Sequence, residues 1–339
     1  MAGPLAGLRI VELGGIGPVP FAGMMLADAG AEVTAIVRPA PADAPLDGMT
    51  AAVGGVLGRG RREVPLNLKD AADREAALAM VAAADAALEG FRPGALERLG
   101  LGPDVLLARN PALVLGRMTG WGQDGPLAQS PGHDINYLAV SGLLAHLGGP
   151  DQPRPPMTLL GDFGGASMLA FGVLAGILSA RSTGRGTIID AAMLDGAALL
   201  GTMPFELWNR GAWDPQRGRN VNDGGAPFYR TYLTLDQKWV AVGAMEPVFW
   251  ERLLVGLKLD PDALPDQWDR ERWPELSDVL AAVFLTRTRD EWAADLGDAC
   301  VSPVLTIDEA PSHPHNQARH LFVPGVDGPV PAPAPRFPG

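Results

Sequence analysis

The sequence predicts an α/β protein with a mostly parallel, doubly wound sheet, followed by a smaller second domain. Three observations support this. Short apolar runs of strand length alternate with Ala- and Leu-rich helical stretches through the first part of the chain. Turns rich in glycine and proline (43 Gly and 32 Pro in 339 residues) separate them. After Arg210 the alternation gives way to a Gly-, Asn- and Arg-rich loop, beyond which the pattern resumes with different spacing.

The elements follow in order. Leu8-Arg-Ile-Val-Glu-Leu13 reads as a buried strand, Gly14-Gly-Ile-Gly-Pro-Val-Pro20 as a turn, residues 21–29 as a helix and 31–37 as a second strand, which together form a βαβ unit. A strand at 64–68, a helix at 71–83 and strands at 86–89 and 112–117 continue the alternation. Helices are expected near 136–146, at 163–182 and at 197–207, with a strand at 187–192 between the last two. Beyond the loop that ends near Ala226, strands at 228–233 and 239–243 and helices at 248–257, 275–285 and 289–296 make up the smaller domain. The tail from Val323 is Pro-rich and reads as extended.

Composition excludes several classes of function. With 27 basic and 39 acidic side chains the net charge is −12, so the overall field opposes binding to a nucleic-acid backbone. A single cysteine, Cys300, excludes an intrachain disulfide and a cysteine-based zinc or iron–sulfur site within one subunit. The N-terminal residues lack a basic segment followed by an apolar core, and the longest apolar stretch, 167–180, is read as too short for a bilayer and as a buried helix instead. The expectation is a cytoplasmic protein with no nucleic-acid or membrane partner.

The first turn invites a nucleotide reading, because glycines there let the backbone approach phosphate at a helix N-terminus. The match is poor: proline replaces the third glycine of the dinucleotide fingerprint, and Arg38 stands where ribose recognition requires a carboxylate. Arginine there suits a phosphorylated ribose, which leaves NADP and coenzyme A open. Arg62 and Arg92, if carried to the same sheet edge as Arg38, would add charge for a diphosphate and a 3′-phosphate; the alternative is three solvated surface arginines.

Among five histidines, His133 stands out in Ser130-Pro-Gly-His-Asp-Ile-Asn-Tyr137, a turn before a helix, as an acid/base candidate or a helix cap. His146 reads as a packed core residue, and His313, His315 and His320 lack carboxylates at ligand spacing, so no metal site is expected. Asp162, in Leu160-Gly-Asp-Phe-Gly-Gly165, is either an N-cap or a reactive carboxylate beside glycines that leave room for a ligand. Glu246 at a strand-to-helix turn has the same ambiguity. No nucleophile elbow or P-loop is present.

Taken together, Pro4-Leu-Ala-Gly-Leu-Arg-Ile-Val-Glu-Leu13, Leu26-Ala-Asp-Ala-Gly-Ala-Glu-Val33, Leu66-Asn-Leu-Lys69, Glu89-Gly-Phe-Arg-Pro-Gly94, Met118-Thr-Gly-Trp-Gly-Gln-Asp-Gly-Pro126, Gly132-His-Asp-Ile-Asn-Tyr137, Gly161-Asp162 and Thr183-Gly-Arg-Gly186 resemble the family III CoA-transferase superfamily, and within it the alpha-methylacyl-CoA racemases. The resemblance covers nearly the whole chain. It implies a Rossmann-like large domain (1–210), a small α+β domain (211–310) and a return segment (311–339), in an interlocked homodimer whose active site joins the large domain of one subunit to the small domain of the other.

The chemistry it implies is inversion of C2 in 2-methylacyl-CoA thioesters through an enolate. His133 and Asp162 would serve as paired bases, Glu246 would orient His133 across the dimer interface, and the backbone N–H at Asp134 would meet the enolate oxygen. Arg38, Arg62 and Arg92 would hold CoA, which is part of the substrate, so no separate cofactor is implied. Met157, Met168, Met193, Met203 and Met245 would offer a sliding wall for the acyl chain, or simply fill core. The transferase branch instead uses the aspartate matching Asp162 as a covalent nucleophile. A third alternative is a non-catalytic acyl-CoA-binding or structural dimer.

Overall fold

The computed structural model describes residues 3–39 and 55–337; residues 40–54 of the expected large domain lie outside it. The chain divides into two compact units. The first comprises Met1–Leu143, Pro156–Thr202 and His320–Gly339, the second Leu144–Pro155 and Met203–Arg319.

In the first unit the alternating pattern folds into β1 (Arg9–Glu12), α1 (Pro18–Asp28), β2 (Glu32–Val37), β3 (Arg61–Pro65), α2 (Ala71–Ala82), β4 (Ala86–Glu89), α3 (Ala95–Arg98), α4 (Pro103–Arg109), β5 (Val114–Thr119), α5 (Asp134–Val140), α6 (Gly164–Thr183), β6 (Thr187–Ala192) and α7 (Met193–Leu200). The six strands form one parallel sheet in the order β3-β2-β1-β4-β5-β6. The order reverses between β1 and β4, which in open α/β sheets places the ligand crevice beyond the carboxyl ends of those strands. The continuous apolar runs of β4 and β5 are buried along their whole length, as parallel strands covered on both faces must be. Pro18 and Pro20 start α1, where their missing N–H groups would have no intrahelical partner anyway.

One expectation is overturned. The segment read as too short for a bilayer lies in a helical run that spans Leu159–Thr183, 25 residues containing an 18-residue window with a mean hydropathy of 1.8, long and apolar enough to cross a membrane by those measures alone. Its inner face, Ala166, Leu169, Ala170, Val173, Ile177 and Ala180, packs into the core with β4 and β5 residues such as Leu88, Val114 and Met118. Phe171 and Leu178 on the outer face are exposed. The run is longer than its apolar stretch because a π-helical turn, Leu159–Phe163, extends it at the N-terminal end.

The second unit holds all but the first residue of α8 (Thr202–Asn209), with β7 (Tyr229–Leu233), β8 (Trp239–Gly243), α9 (Pro247–Leu257), α10 (Trp273–Phe284), α11 (Arg289–Asp295) and β9 (Val301–Pro303). The strands form an antiparallel sheet in that order. β9 carries no alternation long enough to be read from sequence. Trp273, Leu276, Leu280 and Phe284 recur at helical spacing along the buried side of α10. Thr288 and Glu291 close a reciprocal capping box on α11.

The boundaries differ from those read in the sequence. They fall at 202/203 and 319/320 rather than 210/211 and 310/311, and residues 144–155 join the second unit. The guanidinium of Arg217 explains this last point, since it donates to the carbonyls of Ala145, Gly149 and Pro150. His146, expected in an apolar helix, lies in a 3₁₀ turn where its Nδ1 accepts the indole N–H of Trp213 at 3.2 Å. The Pro-rich tail is not simply extended: Phe322–Pro324 and Pro329–Pro331 pair as an antiparallel ribbon in the first unit.

A buried ion pair shapes the packing of α1. Glu12 at the end of β1 accepts from Arg61 on β3 at 2.5 Å, with both side chains nearly inaccessible. Burial pushes the Glu12 carboxyl up to about 7, against the pull of Arg61. Gly23 of α1 lies directly over this pair, where a Cβ would run into Glu12 Oε1. Alanine ordinarily stabilises a helix interior over glycine by about 1 kcal/mol. Here Gly23→Ala is expected to destabilise the protein by about 1–3 kcal/mol, because the new Cβ would meet Glu12 Oε1 and the carboxyl carbon behind it, so the buried carboxylate that Arg61 holds through Oε2 must shift. The midpoint of urea unfolding checks this, and a raised midpoint would contradict it.

Candidate active site

Two sequence-distant segments of the first unit meet at one carboxylate. His133 occupies the N-cap position of α5 in extended conformation, and its backbone N–H donates to Asn136 Oδ1 at 3.0 Å, half of a capping box. The Tyr137 hydroxyl donates to the Gly132 carbonyl at 2.5 Å, and its ring stands edge-on to Trp121 at 4.8 Å. The backbone entering His133 is therefore held from both sides. Asp134, the first residue of α5, is buried, and its Oδ1 accepts the backbone N–H groups of Gly161 at 2.7 Å and Asp162 at 2.9 Å. Its Oδ2 is buried without a partner.

Asp162 is not an N-cap. It lies inside the π-helical turn Leu159–Phe163, and the turn follows Met157 and Thr158, both non-glycine residues at positive φ (52° and 60°). Such conformations cost energy and persist only where surrounding contacts impose them. Burial first, and then the like charge of Asp134, push the Asp162 carboxyl up to about 6, while His133 pulls it down. Burial and then the charge of Asp162 also raise the Tyr137 hydroxyl, and Arg92 pulls it back. His133, Asp134, Tyr137, Asp162 and Arg92 thus share one electrostatic neighbourhood. Its centre is the Asp162 carboxyl, raised to about 6 within the electrostatic reach of the His133 imidazole.

The remaining candidates separate. Glu246 belongs to the second unit, at the exposed N-cap of α9, with no side-chain capping bond. Arg38 is exposed just past the end of β2, and Arg92 is exposed in the turn after β4, roughly 10 Å across the sheet by strand spacing. Arg62 does not share that edge. It pairs in register with Thr34, four residues or about 13 Å back along β2 from Arg38, and its guanidinium donates to the Thr34 hydroxyl at 3.3 Å. The register of the β2–β3 ladder places it there. Arg59 and Arg61 are engaged by Asp28 and Glu12.

The five methionines do not form one wall within either unit. Met157, Met168 and Met193 belong to the first unit and Met203 and Met245 to the second, with Met193 packed against the sheet core and Met245 against Phe228 and Trp273. No group of three His, Cys, Asp or Glu side chains suited to a metal occurs among the described residues.

The sequence reading missed the side chain of Asp134, which it had named only for its backbone N–H. It also missed Glu89 and Arg117, buried charges on β4 and β5 that join at 2.7 Å. A charged residue in the middle of the apolar run Val-Leu-Gly-Arg-Met-Thr was the available signal, since a buried charge requires a partner.

A family model for CoA-transferase family III matches residues 5–338. The chain is 43% identical to the alpha-methylacyl-CoA racemase of Mus musculus over 338 residues, covering 98% of this chain and 86% of that protein. It is 42% identical to the alpha-methylacyl-CoA racemase of Homo sapiens over 336 residues, with the same coverage. The crystal structure of Rv3272 from M. tuberculosis superposes with a TM-score of 0.80 at 26% identity, covering 99% of this chain and 94% of that one.

The junction at Asp134 is open to direct titration. Asp134→Asn keeps an oxygen for the two N–H groups and removes the like charge, so the midpoint of Asp162, followed by ¹³C carboxyl NMR and assigned by its absence in Asp162→Asn, is expected to move from about 6 toward the ordinary aspartate range. An unmoved midpoint would mean that Asp134 has no electrostatic hold on Asp162.

Proposed function

The chain belongs to CoA-transferase family III, and on that premise we propose that it is a racemase of 2-methylacyl-CoA thioesters, inverting C2 by two-base proton transfer through an enolate. The observation that carries this reading is the junction at Asp134, which ties the turn bearing Asp162 to the first residue of the helix capped by His133. The 42–43% identity to two racemases over nearly the whole chain supports it.

The chemistry requires two acid/base groups flanking one carbon, because the α-proton is removed from one face and returned to the other. The working state carries one proton shared between His133 and Asp162: ionised Asp162 takes the proton while imidazolium His133 gives one, and the reverse epimer uses the same pair with the proton exchanged. With its carboxyl at about 6, Asp162 is mostly ionised at neutral pH yet a stronger base than an ordinary aspartate. The two states have the same net charge and so the same pH dependence.

The enolate oxygen needs a donor. Among the described residues the backbone N–H of Asp134 has no protein acceptor, and it is the donor we assign; one such contact is worth about 3 kcal/mol in the transition state. In an interlocked homodimer Glu246 of the partner subunit would orient His133. Arg38 and Arg92 would receive the CoA phosphates at the carboxyl edge of the sheet.

Incubating one 2-methylacyl-CoA epimer in D₂O is expected to give α-deuterium and the opposite epimer. His133→Ala should lower the rate of inversion by at least about a hundredfold. No exchange, together with hydroxylamine trapping of an acyl group on Asp162, would replace this reading with acyl transfer through a covalent anhydride.

A further inference from the structure

Beyond the two bases, the first unit contains a second buried charge pair whose geometry bears on the substrate's distant end. Glu89, the last residue of β4, is in register with Arg117 on the adjacent strand β5. Arg117 Nε donates to Glu89 Oε1 at 2.7 Å, and the two side chains are 8% and 0% exposed. A further Arg117 nitrogen lies 2.9 Å from Glu97 on α3, on the far side of the turn. The other Glu89 oxygen, Oε2, accepts the backbone N–H of Phe91 at 2.7 Å.

That hydrogen bond fixes a strap, Gly90-Phe-Arg-Pro-Gly94, lying against the first loop of the protein. Gly90 donates to the Gly14 carbonyl at 3.0 Å. The Phe91 ring seats on Gly14, where φ is +131° and a Cβ would come within 2.7 Å of the ring. Ala95 N–H donates to the Arg92 carbonyl at 2.9 Å, and Gln129 Nε2 to the Pro93 carbonyl at 3.1 Å. The backbone of Arg92 is thus held at both ends while its side chain is exposed. Among the described residues it has no carboxylate partner. A buried ion pair adds little net stability over apolar residues of the same volume. Its consequence at this position is geometric, because Glu89 supplies the acceptor that sets the turn.

We propose that Glu89 and Arg117 are positioning residues that hold the Phe91–Arg92 strap at the carboxyl edge of the sheet, aiming Arg92 at the phosphates of a CoA thioester. The inference rests on the reading of Arg92 as a phosphate contact under the proposed function. It adds residues that touch no substrate and act through another side chain.

Binding of CoA and of pantetheine, which has no phosphate, to the full chain separates the roles without relying on turnover. The paired Glu89→Met/Arg117→Met variant removes both charges without stranding either, and Arg117→Lys keeps the charge while losing the guanidinium fork. Arg92→Ala is expected to weaken CoA binding about tenfold and leave pantetheine binding unchanged. The Met/Met variant should weaken CoA binding by a similar factor, with pantetheine again unaffected, with kcat for epimerisation nearly unchanged and with no further loss when combined with Arg92→Ala. Arg117→Lys should fall between.

If Arg92→Ala weakens CoA binding and the Met/Met variant does not, or if the Met/Met variant weakens CoA and pantetheine alike, the pair is structural and the proposal fails. If Arg92→Ala leaves CoA binding unchanged, the phosphate assignment of Arg92 fails, and the positioning role falls with it. Neither result bears on whether the wild-type chain epimerises.

Discussion

One buried carboxylate carries the architecture of the site. Asp134 sits where α5 begins, and a single oxygen accepts two successive backbone N–H groups from the turn that bears Asp162. Hydrogen bonds to an ionised acceptor contribute about 1.5–3 kcal/mol each, but the second oxygen is buried without a partner, which costs an amount of the same order. What the junction secures is therefore position more than stability. It ties down a π-helical turn next to two non-glycine residues in the left-handed region. It also places a negative charge near Asp162, which adds to the larger effect of burial in raising that carboxyl to about 6. The contact that sets the geometry thus contributes to the acidity as well.

The acidic whole and the basic details are consistent once each arginine is followed to its partner. Despite a net charge of −12, buried arginines are used inside the first unit: Arg61 on Glu12 beneath α1, and Arg117 on Glu89 under the strap after β4. Arg61 reaches its partner from the first residue of β3, whereas Glu12 and Glu89 end their strands at the carboxyl edge of the parallel sheet, where successive βα turns converge and where doubly wound sheets place their ligands. The exposed Arg38 and Arg92 stand at that same edge. Local charge there is set by structure around it and not by composition.

Much of the fold was legible in the sequence. Strands of the parallel sheet announced themselves as short apolar runs, α1 and α2 as helical segments with proline or aspartate at their starts, and α6 as a long apolar run. What escaped had physical causes. β9 is three residues long and is a strand only because β8 lies beside it. Residues 144–155 join the second unit through hydrogen bonds from Arg217, some seventy positions away, which no local pattern encodes. Arg62 looked equivalent to Arg38 until the register of β2 and β3 set it back along the ladder. At the site, His133 and Asp162 could be picked out by residue type and by their glycine neighbours. The side chain that joins them could not, because Asp134 acts by accepting from backbone at a separation of 27 residues.

The central claim is that His133 and Asp162 work as one unit with one proton between them. The dependence of kcat/KM on pH, measured from each epimer of a 2-methylacyl-CoA separately, tests it most directly. Two superimposable profiles are expected, each falling about tenfold per pH unit below a limb near pH 6, where protonation of Asp162 gives the pair its second proton. Profiles with no acid limb above about pH 5, or an acid limb that survives in Asp162→Asn, would contradict it.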